Sequence, residues 1–336
     1  MTMRYIQVRD TNLRPSVIGL GTSDFGTAIR EEEAFGLLDR FVELGGTLVD
    51  TAHVYGDWVE GGKGASERTI GKWLEQRGSR DKIVLSTKGA HPPLADFARS
   101  RLDADSIRSD LSDSLERLRT DWIDLYWLHR DDPERPVEAV MEALHEHVAA
   151  GRVHYIGASN WTRERIAAAN RYAQRSGLTP FVASQPHWNL AVLNPVLPPD
   201  IVAIDDETRA WHVETGLAVF AFSSQASGFF GGKYGRGLAP EGGRAGHVQE
   251  MYANEASYDR LERVLALSNR LGTRASQTAL AYVLSHPFPA FALIGANKLE
   301  HLEDSCKAGD LVLTPEQLRY LESGEGSFTS AVSPKD

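Results

Sequence analysis

The chain reads as an α/β fold, a (β/α)8 TIM barrel with an N-terminal hairpin and extra C-terminal helices. Three observations predict it. Eight strand-like runs recur along the 336 residues, each followed by a stretch of helical periodicity. The runs are almost continuously apolar, as in a parallel sheet covered on both faces. Chemistry-bearing residues stand just past strands two through six: Asp50, Tyr55, Lys88, His129, Ser159-Asn160 and Gln185. Barrels of this kind place their active sites at that C-terminal edge.

The predicted strands are 17–20, 48–50, 83–87, 122–128, 153–158, 181–184, 217–222 and 290–294. The predicted helices are 31–44, 67–76, 106–118, 136–149, 163–173, 206–214, 258–271 and 298–307, with an extra helix at 276–285 before the last strand. The fourth begins at Pro136, suited to a first helical turn, and stops at Gly151, suited to a helix end. Residues 4–14 form a hairpin that closes the barrel bottom, and the Gly- and Ser-rich tail 323–336 is loosely held. No linker, repeat or low-complexity tract divides the chain, so 1–336 is read as one domain.

A net charge of −10, with scattered basic residues, argues against a nucleic-acid surface. No apolar run approaches the roughly 18 residues of a membrane span, and the start lacks a signal-peptide core. The single Cys306 excludes an internal disulfide, reads as structural, and fits a cytoplasmic setting. No metal is implied: His145 and His147 are two residues apart on a helix and point in different directions.

The strand-end residues form a chemical set. A phenol has an ordinary pKa of about 10 and is a weak donor at neutral pH. An ammonium beside it favours the phenolate, a carboxylate can hold the ammonium, and an imidazole can orient a carbonyl. Asp50, Tyr55, Lys88 and His129 are therefore apparatus for protonating an oxygen while hydride reaches its carbon.

In this order and at these strand ends, the four residues resemble the tetrad of the aldo-keto reductases. The resemblance runs from Gly19-Leu20-Gly21-Thr22 to Leu302-Glu303-Asp304. It implies an NAD(P)(H)-dependent oxidoreductase interconverting a carbonyl and an alcohol, with Tyr55 as general acid and base and His129 donating to the carbonyl oxygen. Hydride must come from a nicotinamide cofactor. The Gly-x-Gly-x-x-Gly signature is absent, and no tyrosine has a lysine four residues on, so barrel loops must build the cofactor site. The resemblance assigns Gly21, Thr22 and Asp50 to it, with Ser159, Asn160 and Gln185 on the carboxamide and Phe222 stacked on the nicotinamide. It puts Ser223, Ser224, Gln225, Ala226 and Lys233 at the phosphates. Gly295, Asn297, Lys298, His301, Asp304 and Ser305 take the adenosine half. Phe222, Ser224 and Gln225 depart from the common pattern, and Asn297 stands where relatives often carry arginine. With Lys298 adjacent to supply charge, NADP(H) is favoured over NAD(H).

For substrate, the loops offer Phe25, Trp58, Trp161 and Trp188 with Asp24, Asp57, Glu60, Arg130, Asp131 and Asp132. Phe25, Trp58, His129 and Trp188 are the expected substrate-binding set. Aromatic faces with charged groups suit a sugar- or polyol-like carbonyl; a broad reductase of small aldehydes and ketones is the other reading. A slow-turnover, NADP(H)-binding redox-sensing or channel-associated subunit would carry the same tetrad. A barrel hydrolase would need a carboxylate pair at the mouth, and the order of the tetrad weighs against it.

Overall fold

In the computed structural model, which describes residues 3–326, eight strands close into a parallel barrel in sequence order. They are β1 (Ile18–Gly21), β2 (Leu48–Asp50), β3 (Val84–Gly89), β4 (Ile123–Leu128), β5 (Val153–Ser159), β6 (Phe181–Gln185), β7 (Ala218–Ala221) and β8 (Ala290–Gly295). The helices after β1 to β6 are α1 (Glu31–Glu43), α2 (Ala65–Arg77), α3 (Ala104–Leu118), α4 (Val137–Ala149), α5 (Arg163–Ser176) and α6 (Asp206–Thr215). Between β7 and β8 lie α7 (Ala245–Tyr252), α8 (Glu255–Leu271) and α9 (Ala275–Leu284); α10 (Leu299–Cys306) and α11 (Pro315–Ser323) follow β8. All eight expected strands are present, and β8 pairs with β1 through Ile18 and Ala292.

Helix starts differ from expectation where a cap lies upstream of the apolar pattern. Asp103 accepts from Ser106 N at 2.9 Å, and Asn254 accepts from Ser257 N at 2.8 Å, so α3 and α8 begin earlier than their hydrophobic stripes. Two helices, α7 and α11, lie outside the expected set. The capping box of α11, Thr314-Pro315 with Gln317, was readable. α7 follows Gly242-Gly243-Arg244 and has no side-chain cap to announce it. Residues 327–336 of the tail expected to be loose lie outside the described residues.

Side chains on alternate strand positions point into the barrel. That interior is filled by Leu48, Leu125, Trp127, Phe220, Phe291 and Leu293, with Phe220 stacked on Phe291 at 4.4 Å. Gly157 is required here: a Cβ on it would lie 2.3 Å from the Trp127 ring. The N-terminal turn is hairpin-like, with Val8 N donating to Leu13 O at 2.9 Å. Val8 and Leu13 seal the interior from below, and only the mouth above the aromatic layer is left for polar groups. Cys306 is buried, and burial pushes its thiol up to about 12, which suits packing rather than reactivity.

Two buried histidines, His187 and His212, and the partly buried His286 carry a stability consequence. Burial holds His187, His212 and His286 down at about 4. The unfolded chain, whose histidines titrate near 6.5, takes up these protons first. Their contribution to stability is present above about pH 6.5 and is lost as pH falls toward 4, at up to about 1.4 kcal/mol per pH unit for each histidine. Denaturant melts at pH 7.5, 6 and 5 should show this decline; a flat profile across that window would refute it.

Candidate active site

The inward columns of six strands end in a polar or aromatic residue at the mouth. Leu48 leads to Asp50 on β2, Val84 and Ser86 to Lys88 on β3, and Leu125 and Trp127 to His129 past β4. Gly157 leads to Ser159 on β5, Ala183 to Gln185 on β6, and Phe220 to Phe222 past β7. A two-residue repeat thus delivers groups from six strands to one layer.

Lys88 is the centre of that layer. Its buried ammonium donates to Asp50 Oδ2 at 2.5 Å, to Thr51 O at 2.8 Å and to Tyr55 Oη at 3.1 Å. Asp50 Oδ1 accepts from Ser86 Oγ at 2.6 Å and from Gln185 Nε2 at 3.1 Å. Burial works against the Lys88 charge, but the Asp50 carboxylate and Tyr55 oxygen outweigh it and raise its pKa. The His129 ring stands edge-on to Tyr55 at 5.8 Å. Burial, then the Lys88 charge, pushes His129 well below the usual imidazole range, so it is neutral at pH 7. Its Nδ1 is sealed in without a partner.

A tight loop carries Tyr55. His53 N still pairs with Lys88 O at 2.8 Å, and Tyr55 N then turns back to Ala52 O. Gly56 has φ 99°, and a Cβ there would meet Gly62 O at 2.4 Å. Behind the loop, fully buried Glu67 accepts from Thr87 Oγ1 at 2.7 Å, and Arg117 reaches both Glu67 and His53 O.

The residues expected to hold a cofactor fall into two groups. Thr22 donates to Asp50 O at 3.0 Å, with Gly21 beside it at the end of β1. Ser159 donates to Gln185 O at 2.8 Å, and Asn160, in the left-handed region at φ 59°, donates to His129 O at 3.1 Å. These, with Gln185 and Phe222, surround the tetrad, and Phe222 stands edge-on to His187 at 5.4 Å. The second group lies where the β7 loop meets β8 and α10. Ser223 and Ala226 hold positive φ there. Gln225 donates to Ser305 Oγ at 2.9 Å and accepts from Gly295 N at 3.2 Å. Ser224 is buried and donates to Leu293 O at 2.6 Å, so its hydroxyl fastens the loop from beneath. Asn297 contacts His301 at 3.1 Å, Lys298 is the exposed N-cap of α10, and Lys233 is exposed on the β7 loop. Asp304 is held by Ser276, Gln277 and Arg274.

Two of the expected substrate residues are buried. Phe25 is wholly buried in the outer core, and Trp188 packs on Tyr282, His286 and Phe288. Both rings are large enough to fill the space between barrel and helices, and burial there removes more apolar surface than the mouth would. Trp161 is likewise buried, against Phe181. Trp58 is 51% exposed and edge-on to Tyr55 at 6.0 Å. The loop charges are mostly paired: Asp57 accepts from Gly64 N, Asp24 from Arg244, Asp131 from Arg165, and Arg130 meets Asp200 at 2.9 Å. Exposed Val59, Leu94 and Phe97 lie on the same loops after β2 and β3 as Trp58.

A family model described as the aldo/keto reductase family matches residues 17–325. The chain belongs to the aldo/keto reductase family. It is an enzyme, an oxidoreductase of the carbonyl and alcohol class served by nicotinamide cofactors. It is 32% identical to the aryl-alcohol dehydrogenase [NADP(+)] of Phanerodontia chrysosporium, over 90% of this chain and 77% of that protein. It is also 32% identical to norsolorinic acid reductase A of Aspergillus parasiticus, over 93% of this chain and 78% of that protein. A solved structure of a thermostable aldo-keto reductase in complex with the inhibitor epalrestat superposes with a TM-score of 0.71 at 26% identity, covering 96% of this chain and 99% of that one.

Three residues outside the expected set touch members of it. Ser86 was readable, two positions before Lys88 on the same strand face. Arg274, which meets Asp304, and His91, which packs on His129, were not: no motif marks either.

Breaking the central pair should be costly. In Asp50→Asn the buried Lys88 charge loses its counter-ion, and the fold should lose about 3–5 kcal/mol. Urea melts check this, and the double variant Asp50→Leu/Lys88→Met should recover much of the loss. Equal stability of Asp50→Asn and the wild type would show that the pair is not electrostatically coupled.

Proposed function

We propose that the reductase interconverts an apolar, aryl-type carbonyl and its alcohol with NADP(H), Tyr55 giving the proton in reduction and taking it in oxidation. The observation that carries the reading is the Lys88 ammonium 3.1 Å from Tyr55 Oη, itself anchored on buried Asp50. When the phenol yields its proton, Lys88 stabilises the oxyanion left behind. His129, neutral and with Nδ1 enclosed, offers its other nitrogen to the carbonyl oxygen. Trp58 and His129 each stand edge-on to Tyr55 and would flank a flat substrate.

The apolar substrate class rests on the mouth. Trp58, Val59, Leu94 and Phe97 are exposed on its loops, whereas Asp24 and Asp131 are paired with arginines and Asp57 is held by the Gly64 amide. Names of two relatives, an aryl-alcohol dehydrogenase and a norsolorinic acid reductase, point the same way.

The donor set also fits a dinucleotide. When bound, the nicotinamide supplies the hydride in reduction and accepts it in oxidation. Ser159, Asn160 and Gln185 would hold the carboxamide, and Phe222 would back the ring. At α10, the first amides lack intrahelical acceptors and Lys298 caps the helix, a ready anion site. Arg274, beside Asp304, adds a second cation.

Tyr55→Phe should lower reduction of an aryl aldehyde by at least about 10²–10⁴-fold, with cofactor affinity within a few-fold. The check is a steady-state assay with NADPH and a panel of aryl, aliphatic and sugar aldehydes. Near wild-type turnover in the variant would remove Tyr55 from the mechanism. Very slow turnover by the wild type on every substrate, with tight NADPH binding, would instead favour the redox-sensing reading.

Lys298→Ala should weaken NADPH binding about fivefold and NADH binding little, since an exposed ammonium on a phosphate is worth about 1 kcal/mol. Quenching of tryptophan fluorescence by each cofactor measures both constants. Equal losses would mean that Lys298 does not meet the 2′-phosphate.

A further inference from the structure

His91 lies three residues past Lys88, on the loop that leaves β3, and nothing in the proposed reaction uses it. Its ring is buried at 9% exposure, edge-on to His129 at 4.8 Å on one side and to Phe97 at 5.6 Å on the other. Its Nδ1 lies 2.6 Å from the Pro92 carbonyl. A carbonyl oxygen only accepts, so Nδ1 carries the ring proton. Burial pushes His91 below the usual imidazole range, so the ring is neutral and Nε2 keeps its lone pair. Nε2 has no partner among the described residues, and it is not one of the sealed, unpaired atoms.

The neighbouring ring has the opposite arrangement. His129 Nδ1 is enclosed with nothing to bond, so its single proton belongs on Nε2, where a substrate oxygen can receive it. Tyr55 and His129 are then two donors aimed at one carbonyl oxygen. His91 Nε2 is an acceptor on the ring packed against His129. Of the nearby carboxylates, Asp200 is held by Arg130 and Asp57 by the Gly64 amide.

We propose that His91 is a specificity-determining residue that accepts a hydrogen bond from a substrate hydroxyl next to the reacting carbonyl, so that the preferred substrates are ortho-hydroxyaryl or α-hydroxy carbonyl compounds. The inference rests on the reading in which Tyr55 and His129 take the carbonyl oxygen. The hydroxyl is bound through its proton while its ring or chain lies among Trp58 and Phe97.

The test uses the full-length enzyme with NADPH and two isomeric aldehydes, 2-hydroxybenzaldehyde and 4-hydroxybenzaldehyde. The readout is the ratio of their kcat/KM values. Wild type should favour the 2-hydroxy compound about tenfold, the scale of one well-placed hydrogen bond. In His91→Phe, which keeps the bulk and removes the acceptor, the ratio should fall to about one. In His91→Gln, whose carbonyl can accept, part of the preference should return. Cofactor quenching of tryptophan fluorescence establishes that each variant is folded; if His91→Phe is not, the wild-type and His91→Gln ratios decide. A wild-type ratio near one with measurable turnover overturns the role of His91 and leaves the aryl-carbonyl reading standing. Equal loss on both aldehydes in His91→Phe shows a packing role only and likewise overturns it. Failure of the wild type to reduce either aldehyde overturns the aryl-carbonyl reading, and this inference with it.

Discussion

The buried pair of Lys88 and Asp50 is the constraint on which the active layer depends. Two charges removed from water are expensive unless every remaining donor and acceptor finds a partner. Here the ammonium spends its three protons on Asp50, Thr51 O and Tyr55, and the carboxylate takes Ser86 and Gln185 as well. Those partners come from β2, β3, β6 and the loop after β2, so the pair can be satisfied only if the barrel is closed and in register. Tyr55 is the one partner on a loop that also faces outward, and on the proposed reading it is the group that changes protonation while the rest stays fixed.

The barrel interior explains why that layer sits at the mouth. Trp127, Phe220 and Phe291 fill the cross-section below it, and Val8 and Leu13 cover the bottom. With the lower interior dry and full, inward positions near the C-terminal ends of the strands are the only ones where polar atoms can reach a ligand. Gly157 shows how close the fit is, since even a methyl group would strike Trp127. Packing at the centre of the barrel therefore sets the height at which Ser159 and Gln185 stand.

Much of this was legible from residue order. A strand ending in a chemical residue is a local pattern, and six strands ending that way at one edge follow from the two-residue repeat. What could not be read was which long-range partner each loop charge finds. Asp24 and Arg244 are 220 positions apart and meet, and Asp57 turns back to cap Gly64. Their sequence neighbourhoods look like solvent-facing, ligand-ready loops. The tryptophans misled for a related reason: Trp161 and Trp188 follow strand ends, as site residues do, yet their size lets Arg165 of α5 and Tyr282 of α9 draw them under cover. α7 escaped for want of a cap, whereas α11 carried a complete one.

The same burial that hides charges also sorts the imidazoles from the ammonium. Lys88 keeps its proton because Asp50 is in contact with it; His129 and His91 lose theirs because they are buried with no carboxylate in contact. One cation and two neutral rings thus stand together at the mouth, the rings edge-on to one another. Were His129 charged as well, it would repel Lys88 across the phenol, and one of the two would have to give up its proton. On the proposed reading, neutral His129 avoids that conflict while still offering a donor: the field at a substrate carbonyl oxygen would be positive from Lys88 through Tyr55 and only dipolar from the histidines. It would be strongest where negative charge grows as hydride arrives and weakest where an uncharged hydroxyl would bind.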